Sequence, residues 1–197
     1  RQRQMCIRDR NINILQETDK TIWVIDPVDG TYNFVHGNDE FCCMVACVIN
    51  GVTQYGWIYD IPADRMLLAV KGEGSTLDGA KQKVASTCSF KESTGFAGSR
   101  YFPPVMRPHI DNLRKQVNKL SSMGCAGHEY LRIITGARDF GIYSRSRPWD
   151  HLAGSLAVQE AGGAVQKWDG SEYTPQDDFE GLIVASNNDL IRELKAM

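Results

Sequence analysis

The stretch Trp23–Phe34, WVIDPVDGTYNF, decides how this chain is read. An apolar, β-branched run, Thr21–Asp26 (TIWVID), leads into an acid, and Pro27, Val28, a second acid at Asp29 and the pair Gly30-Thr31 follow at once. Such a run predicts a buried strand that delivers its last residue to a site. Pro27 disfavours helical backbone at Asp26 and predicts that the strand stops there. Asp29 then falls about one turn later, at the start of a new helix, where the two carboxylates converge on one point instead of diverging as they would on a strand. The N–H groups of Gly30 and Thr31 at that helix start form an anion site. Carboxylates beside an anion repel it unless a cation lies between them. A hard divalent ion such as Mg2+ takes oxygen ligands and bridges carboxylate to phosphate. The Val28 carbonyl is a further candidate ligand. Read alone, the same aspartates serve equally well as turn and N-cap residues.

A second stretch, PWDHLAGSLAVQEAGG from Pro148 to Gly163, places Asp150 at another helix start. Asp150 on its own is again open to an N-cap reading. Ala153, Gly154 and Ala157 follow at helical spacing and form a small-residue face suited to close packing.

Together, WVIDPVDGTYNF and PWDHLAGSLAVQEAGG resemble the paired signatures of the inositol monophosphatase family of Mg2+-dependent, lithium-sensitive sugar and nucleotide phosphatases. The resemblance runs from about Ile22 to Ala185 and includes GVTQYGWIYD and GEGSTLDGA between the signatures. It implies an α+β layered sandwich of the sugar phosphatase type, with the first helices of that fold missing. It implies that Asp26, Asp29 and Asp150 are metal ligands with the Val28 carbonyl, for two or three magnesium ions in the family and fewer here. It implies that Gly30 and Thr31 hold the phosphate and that the Thr31 hydroxyl orients the attacking water. Gly124, Cys125 and Ala126 match the segment lining the substrate alcohol. The implied reaction is direct attack of water on a small phosphate monoester, without a phosphorylated enzyme, and a homodimer is common in the family.

Two positions depart from the pattern. The family carries a metal-binding Glu about twenty residues before DPxDG, but counting back from Asp26 reaches Cys6 and finds no Glu; Glu17 and Asp19 stand nearer, without the family's Gly-Glu-Glu context. Tyr143, seven residues before Asp150, replaces a Glu that contacts the sugar ring in animal members, so myo-inositol 1-phosphate is not assigned as the substrate. A near-inactive fragment that binds metal and phosphate is therefore the alternative reading. A second alternative, the haloacid-dehalogenase type with Asp26 as nucleophile, needs one residue between its aspartates where this chain has two. His36, His128 and His151 are assigned structural or supporting roles, because water attack assisted by metal needs no histidine base. Tyr32, Trp57 and Trp149 are assigned to packing.

The remaining sequence sets limits. With 197 residues, 42% hydrophobic content and a formal net charge of -2, the chain has the composition of a compact soluble protein. That charge gives no electrostatic reason for a nucleic acid polymer or an anionic membrane as partner, and no apolar run reaches spanning length. Six cysteines without a CxxC pair, three of them inside the apolar run FCCMVACVI, read as reduced core thiols in a cytoplasmic setting. Residues 1–10, RQRQMCIRDR, look like a tail foreign to the fold, whether a junction scar or a basic arm, and suggest a piece of a longer protein. Absent helices predict an exposed apolar face.

Residues 11–82 read as a mostly antiparallel sheet lobe carrying the first motif. Strands are expected over Phe41–Asn50, 52–60 and Arg65–Val70, with Asn50-Gly51 as a hairpin turn. Residues 83–197 read as an α/β lobe carrying the second motif. Here a strand is expected over Lys83–Phe90, helices over Pro108–Leu120, His128–Thr135, Trp149–Ala161 and Asn188–Lys195, and strands at DFGIYS, AVQKW and GLIVAS.

Overall fold

The computed structural model describes residues 6–7, 12–17, 19–86, 89–98, 102–177 and 181–196. Seven strands in sequence order form the first sheet: β1 (Cys6–Ile7), β2 (Thr21–Asp29), β3 (Cys42–Ile49), β4 (Val52–Asp60), β5 (Arg65–Val70), β6 (Gly74–Leu77) and β7 (Ala80–Lys81). Every pairing is antiparallel except β1 on β2, where Cys6–Ile7, in the stretch read as a foreign tail, runs parallel to Trp23–Val24. The β3–β4 hairpin turns at Asn50 and Gly51, with φ of 52° and 74°. Two positive φ values are what a turn matching the right-handed strand twist requires, and Asn-Gly supplies them at low cost.

The second sheet has the order β11–β12–β10–β8–β9, built from β8 (Thr94–Ala97), β9 (Lys119–Ser121), β10 (Phe140–Tyr143), β11 (Ala164–Lys167) and β12 (Leu182–Ala185). It is mixed, with β10 parallel to β8 and antiparallel to β12. The strand expected over Lys83–Phe90 is not formed: 82–86 is irregular, 87–88 lies outside the described residues, and Phe90–Glu92 is a 3-10 turn. Burial explains the difference. Val84 is the only buried residue described in 82–86, so no apolar face alternates there to be covered by a sheet.

Among the described residues there are five α-helices: α1 (Thr31–Val35), α2 (Arg107–Gln116), α3 (Ala126–Ile134), α4 (Pro148–Glu160) and α5 (Asn188–Lys195). Helix α4 is buried along its whole middle, from His151 to Val158, as expected for a helix apolar on every side. With α3 it lies between the two sheets, and one core joins Ile22, Val48 and Ile58 of the first sheet to Leu156 and Ala157 of α4 and Leu182 and Val184 of the second. A second core on the far side of the second sheet packs Ile110 and Leu113 of α2 and Leu190, Ile191 and Leu194 of α5 against Phe140, Ile142 and Ile183. The result is a layered sandwich of sheet, helices, sheet and helices, in agreement with the α+β expectation.

Small residues make the inner layer thin. A Cβ on Gly56 of β4 would lie 2.9 Å from the Ala153 backbone, and one on Gly154 would lie 2.2 Å from the ring of the fully buried Tyr130. The small face of α4 therefore does pack closely, on β4 through Ala153 and on α3 through Gly154. Tyr32, assigned to packing from the sequence, is instead 65% exposed and stacks on His36. Phe34 and Val35 beside it are also exposed, so an apolar surface is concentrated on α1.

Candidate active site

Asp26 and Asp29 both belong to β2, which continues through Pro27 instead of stopping before it. Asp29 is thus the last residue of a strand and not the first of a helix. The ladder explains both facts. Asp26 lies opposite Met44 and Asp29 opposite Cys42, so three steps along β2 match two along β3. In a regular strand, residues three apart point to opposite faces. The extra residue is a β-bulge, which returns Asp29 to the face of Asp26, and Pro27 is tolerated there because a bulge leaves a donor unpaired in any case. The convergence of the carboxylates, expected from a helix start, is produced by a bulge.

Gly30 then turns the chain into α1 with φ of 80°. A Cβ there would lie 2.5 Å from the Glu40 carbonyl oxygen and 3.0 Å from the Cys125 Cβ, so backbone conformation and space both call for glycine. No side chain caps α1. The Thr31 hydroxyl, on an exposed residue, donates to the Val28 carbonyl at 2.9 Å. The Val28 N–H donates to Asp26 Oδ1 at 3.1 Å.

Asp150 enters from the first turn of α4. One oxygen each from Asp26, Asp29 and Asp150 lie within 4.8 Å of one another. Asp29 Oδ2 is fixed by the Gly127 N–H at 2.7 Å and faces the thiols of Cys125 at 3.2 Å and Cys42 at 3.8 Å. Burial raises the pKa of the Asp29 carboxyl against the pull of these donors. Burial also holds Asp150 well above the carboxylate range, with the charges of Asp29 and Asp26 adding to it and Arg147 opposing. Like charges gathered in a poorly solvated place bind protons in this way unless a cation takes the protons' place. Every donor in the set is oxygen, which fits a hard divalent ion. Glu17, the acid upstream, pairs with Lys20 and is not part of the cluster.

Beside the carboxylates opens a cavity of about 380 Å³, lined by Asp29 and Asp150, by Gly124, Cys125 and Ala126 before and at the start of α3, and by Arg145 and Arg147. Asp26, Val28, Gly30 and Thr31 are not among its lining residues. Two further lining groups shape its floor, Glu129, which was not singled out from the sequence, and Tyr143, which was singled out only as the replacement of a sugar-contacting Glu. Glu129 of α3 is 5% exposed, receives the Met123 N–H at 2.8 Å and the Ser122 hydroxyl at 3.2 Å, and has its pKa raised by burial to about 7. Its only sequence signal is an acid in the first turn of a helix, which reads as a partner for the helix dipole. The Tyr143 hydroxyl, buried beside Glu129, is pushed far above its usual pKa by that burial. His151 is buried with Nδ1 3.0 Å from the Tyr130 hydroxyl, and burial lowers its pKa to about 3, so it stays neutral. His128 packs its Nε2 3.2 Å from the Phe41 carbonyl and 3.4 Å from Asp60. The four cysteines described in full, Cys42, Cys43, Cys47 and Cys125, are free thiols, as expected.

The layered fold and the paired carboxylate motifs define a sugar-phosphatase-like chain, and comparison with known proteins gives the family. The sequence profile of the inositol monophosphatase family matches residues 2–196, and the chain belongs to that family. That membership takes the place of the haloacid-dehalogenase alternative. The chain is 33% identical over 168 residues to the fructose-1,6-bisphosphatase/inositol-1-monophosphatase of Thermotoga maritima, covering 83% of this chain and 64% of that protein. It is 30% identical over 182 residues to inositol monophosphatase 1 of Solanum lycopersicum, covering 89% and 65%. The chain therefore spans just under two thirds of the length of these relatives. The crystal structure of inositol monophosphatase-II from Staphylococcus aureus superposes with a TM-score of 0.86 over 98% of this chain and 71% of that one, at 23% identity, which establishes the shared fold.

Proposed function

We propose that the protein hydrolyses a small phosphate monoester of an inositol or sugar alcohol, with Mg2+ as the hard cation held by Asp26, Asp29, Asp150 and the Val28 carbonyl. The observation that carries this reading is the meeting of three carboxylates from two separate elements within 4.8 Å, beside a cavity large enough for a sugar phosphate. Its relatives, a fructose-1,6-bisphosphatase/inositol-1-monophosphatase and an inositol monophosphatase, support the same substrate class. A divalent cation in this set supplies charge for the phosphoryl oxygens and acidity for the attacking water.

The chain's own residues do the positioning. Gly127 fixes Asp29, and Pro27 with the bulge fixes Asp26 relative to it. The Thr31 hydroxyl spends its proton on the Val28 carbonyl, so its lone pairs are left to accept a hydrogen bond from water and orient it. The Val28 oxygen keeps a second lone pair for a cation. The N–H groups of Gly30 and Thr31 at the start of α1 hold the phosphate. Gly124, Cys125 and Ala126 line the space for the alcohol, and Glu129 offers a polar group for its hydroxyls. His151, neutral and buried, serves by holding Tyr130 in place and takes no proton from water.

The reading is tested by phosphate release from a panel of inositol, fructose and nucleoside phosphates, with and without EDTA and with Asp26→Asn. Mg2+-dependent release that both treatments abolish is expected. Release that survives both overturns the proposal.

A further inference from the structure

Asp29 also belongs to a second donor set. Cys42 of β3 and Cys125 before α3 bring their sulfurs to 3.7 Å from one another, and one oxygen, Asp29 Oδ2, lies 3.8 and 3.2 Å from them. All three atoms fall within 4.8 Å of one another. We propose that Asp29, Cys42 and Cys125 form a binding site for a thiophilic divalent cation of the zinc class.

The distances carry this assignment. A tetrahedral zinc with Zn–S near 2.3 Å and Zn–O near 2.0–2.2 Å requires an S···S separation of about 3.8 Å and S···O separations of about 3.6 Å. The observed S···S distance is 3.7 Å, and the two S···O distances, 3.2 and 3.8 Å, bracket the required value. The three donors come from three parts of the chain, the end of β2, the start of β3 and the segment entering α3, so the fold and not local sequence assembles them. Gly127 keeps the place open, since a Cβ there would lie 2.2 Å from Cys42 Sγ. Both cysteines are buried, and Cys125 lines the cavity, which gives an ion a path and leaves the fourth position to a water from that cavity. On binding, each thiol gives its proton to solvent and its sulfur lone pair to the ion, and Asp29 binds as carboxylate, so two thiol protons leave per cation together with any proton that Asp29 holds.

Asp29 belongs to both donor sets. An ion on the thiols therefore withdraws a ligand from the oxygen cluster, and zinc should oppose the hydrolysis proposed above. Only that consequence rests on the functional reading. Binding is measured without turnover, so the two can fail separately.

The test is titration of the metal-free, reduced chain with Co2+ and Cd2+, followed by thiolate-to-metal charge-transfer absorption. The expected result is a band that saturates at one ion per chain, resists a large excess of Mg2+, is lost in Cys42→Ser and in Cys125→Ser, and persists in Cys43→Ser and Cys47→Ser. A band retained in the Cys42→Ser/Cys125→Ser double variant, or absent from the unmodified chain, overturns the proposal. X-ray absorption of the zinc-loaded unmodified chain needs no variant to fold. Two sulfur neighbours at about 2.3 Å are expected, and a first shell without sulfur overturns the assignment.

Discussion

Asp26 and Asp29 are held by a strand, whereas Asp150 is held by a packed helix, and the two supports depend on different parts of the chain. The strand side is local. Four consecutive residues, one of them a proline, make the bulge, and the register against β3 fixes it. The helix side is remote. Asp150 reaches the cluster because α4 packs closely on two neighbours, on the first sheet through Gly56 over Ala153 and on α3 through Gly154 over Tyr130. A short motif can therefore place two carboxylates, while the third depends on the thickness of a layer that Gly56 and Tyr130, remote from Asp150 in sequence, help to set.

The largest expected effect removes the cluster itself. Asp29→Asn or Asp150→Asn should each lower kcat/KM by about a thousandfold, as losses of charge stabilisation at a reacting centre do, with the circular dichroism spectrum unchanged. Equal loss from both sides would show that the strand and the helix serve one site. A much smaller loss at Asp150 would break the comparison.

Next comes the helix support. Gly154→Ala gains up to about 1 kcal/mol in helix propensity. It also drives a Cβ to 2.2 Å from a buried, immobile ring, and overpacking of that kind costs about 1–3 kcal/mol or more. The clash wins at this distance, and urea denaturation should show a net loss of about 2 kcal/mol. Activity should fall with it if Asp150 is positioned by this contact.

Protonation separates the cavity floor from both supports. In the metal-free chain Glu129 is raised to about 7 from 4.5, so the folded state holds its proton more tightly than the unfolded state. Its contribution to stability is complete below pH 4.5 and is lost as the pH rises through 7, by on the order of 3 kcal/mol. His151 runs the other way. It is lowered to about 3 from 6.5, so its contribution is complete above pH 6.5 and is lost as the pH falls towards 3. The two oppose one another between pH 4.5 and 6.5. The stability of the wild type minus that of Glu129→Gln, measured at each pH, isolates the first and should decline from pH 4.5 to 7. A flat difference would contradict the buried, proton-holding Glu129.

The smallest effect lies far from the site. Gly51→Ala, at φ of 74°, should cost about 1 kcal/mol in stability. It should leave kcat/KM unchanged, because the β3–β4 turn sits at the opposite end of β3 from Cys42.

How far the sequence could be read follows the same division. The antiparallel hairpins from Cys42 to Val70 were legible, because alternating burial and Asn-Gly are local signals. The helices of α3, α4 and α5 were legible from periodicity. The short strands β6, β7 and β9 were not, since two to four residues carry no period of their own and are strands only because a neighbour pairs with them. Pro27 misled in one respect. It marks the end of a strand in most contexts, but here the ladder with Cys42 extends beyond it.

The sequence by itself determined the chemistry on offer: two acids around a proline, a third ahead of a small-residue helix, and a glycine-threonine pair after the first two. Residue type and spacing are local, and they are enough to name the family and to single out the three acids that the structure brings together. Only the tertiary structure decided how those donors meet. It replaced a helix start with a bulge, added Glu129 to the cavity floor, and set Cys42 against Cys125 across one oxygen of Asp29. Those contacts join residues up to about a hundred positions apart. Such distances are fixed by sheet register and by the close approach of α4 and α3 to the first sheet, and no short stretch of sequence contains them.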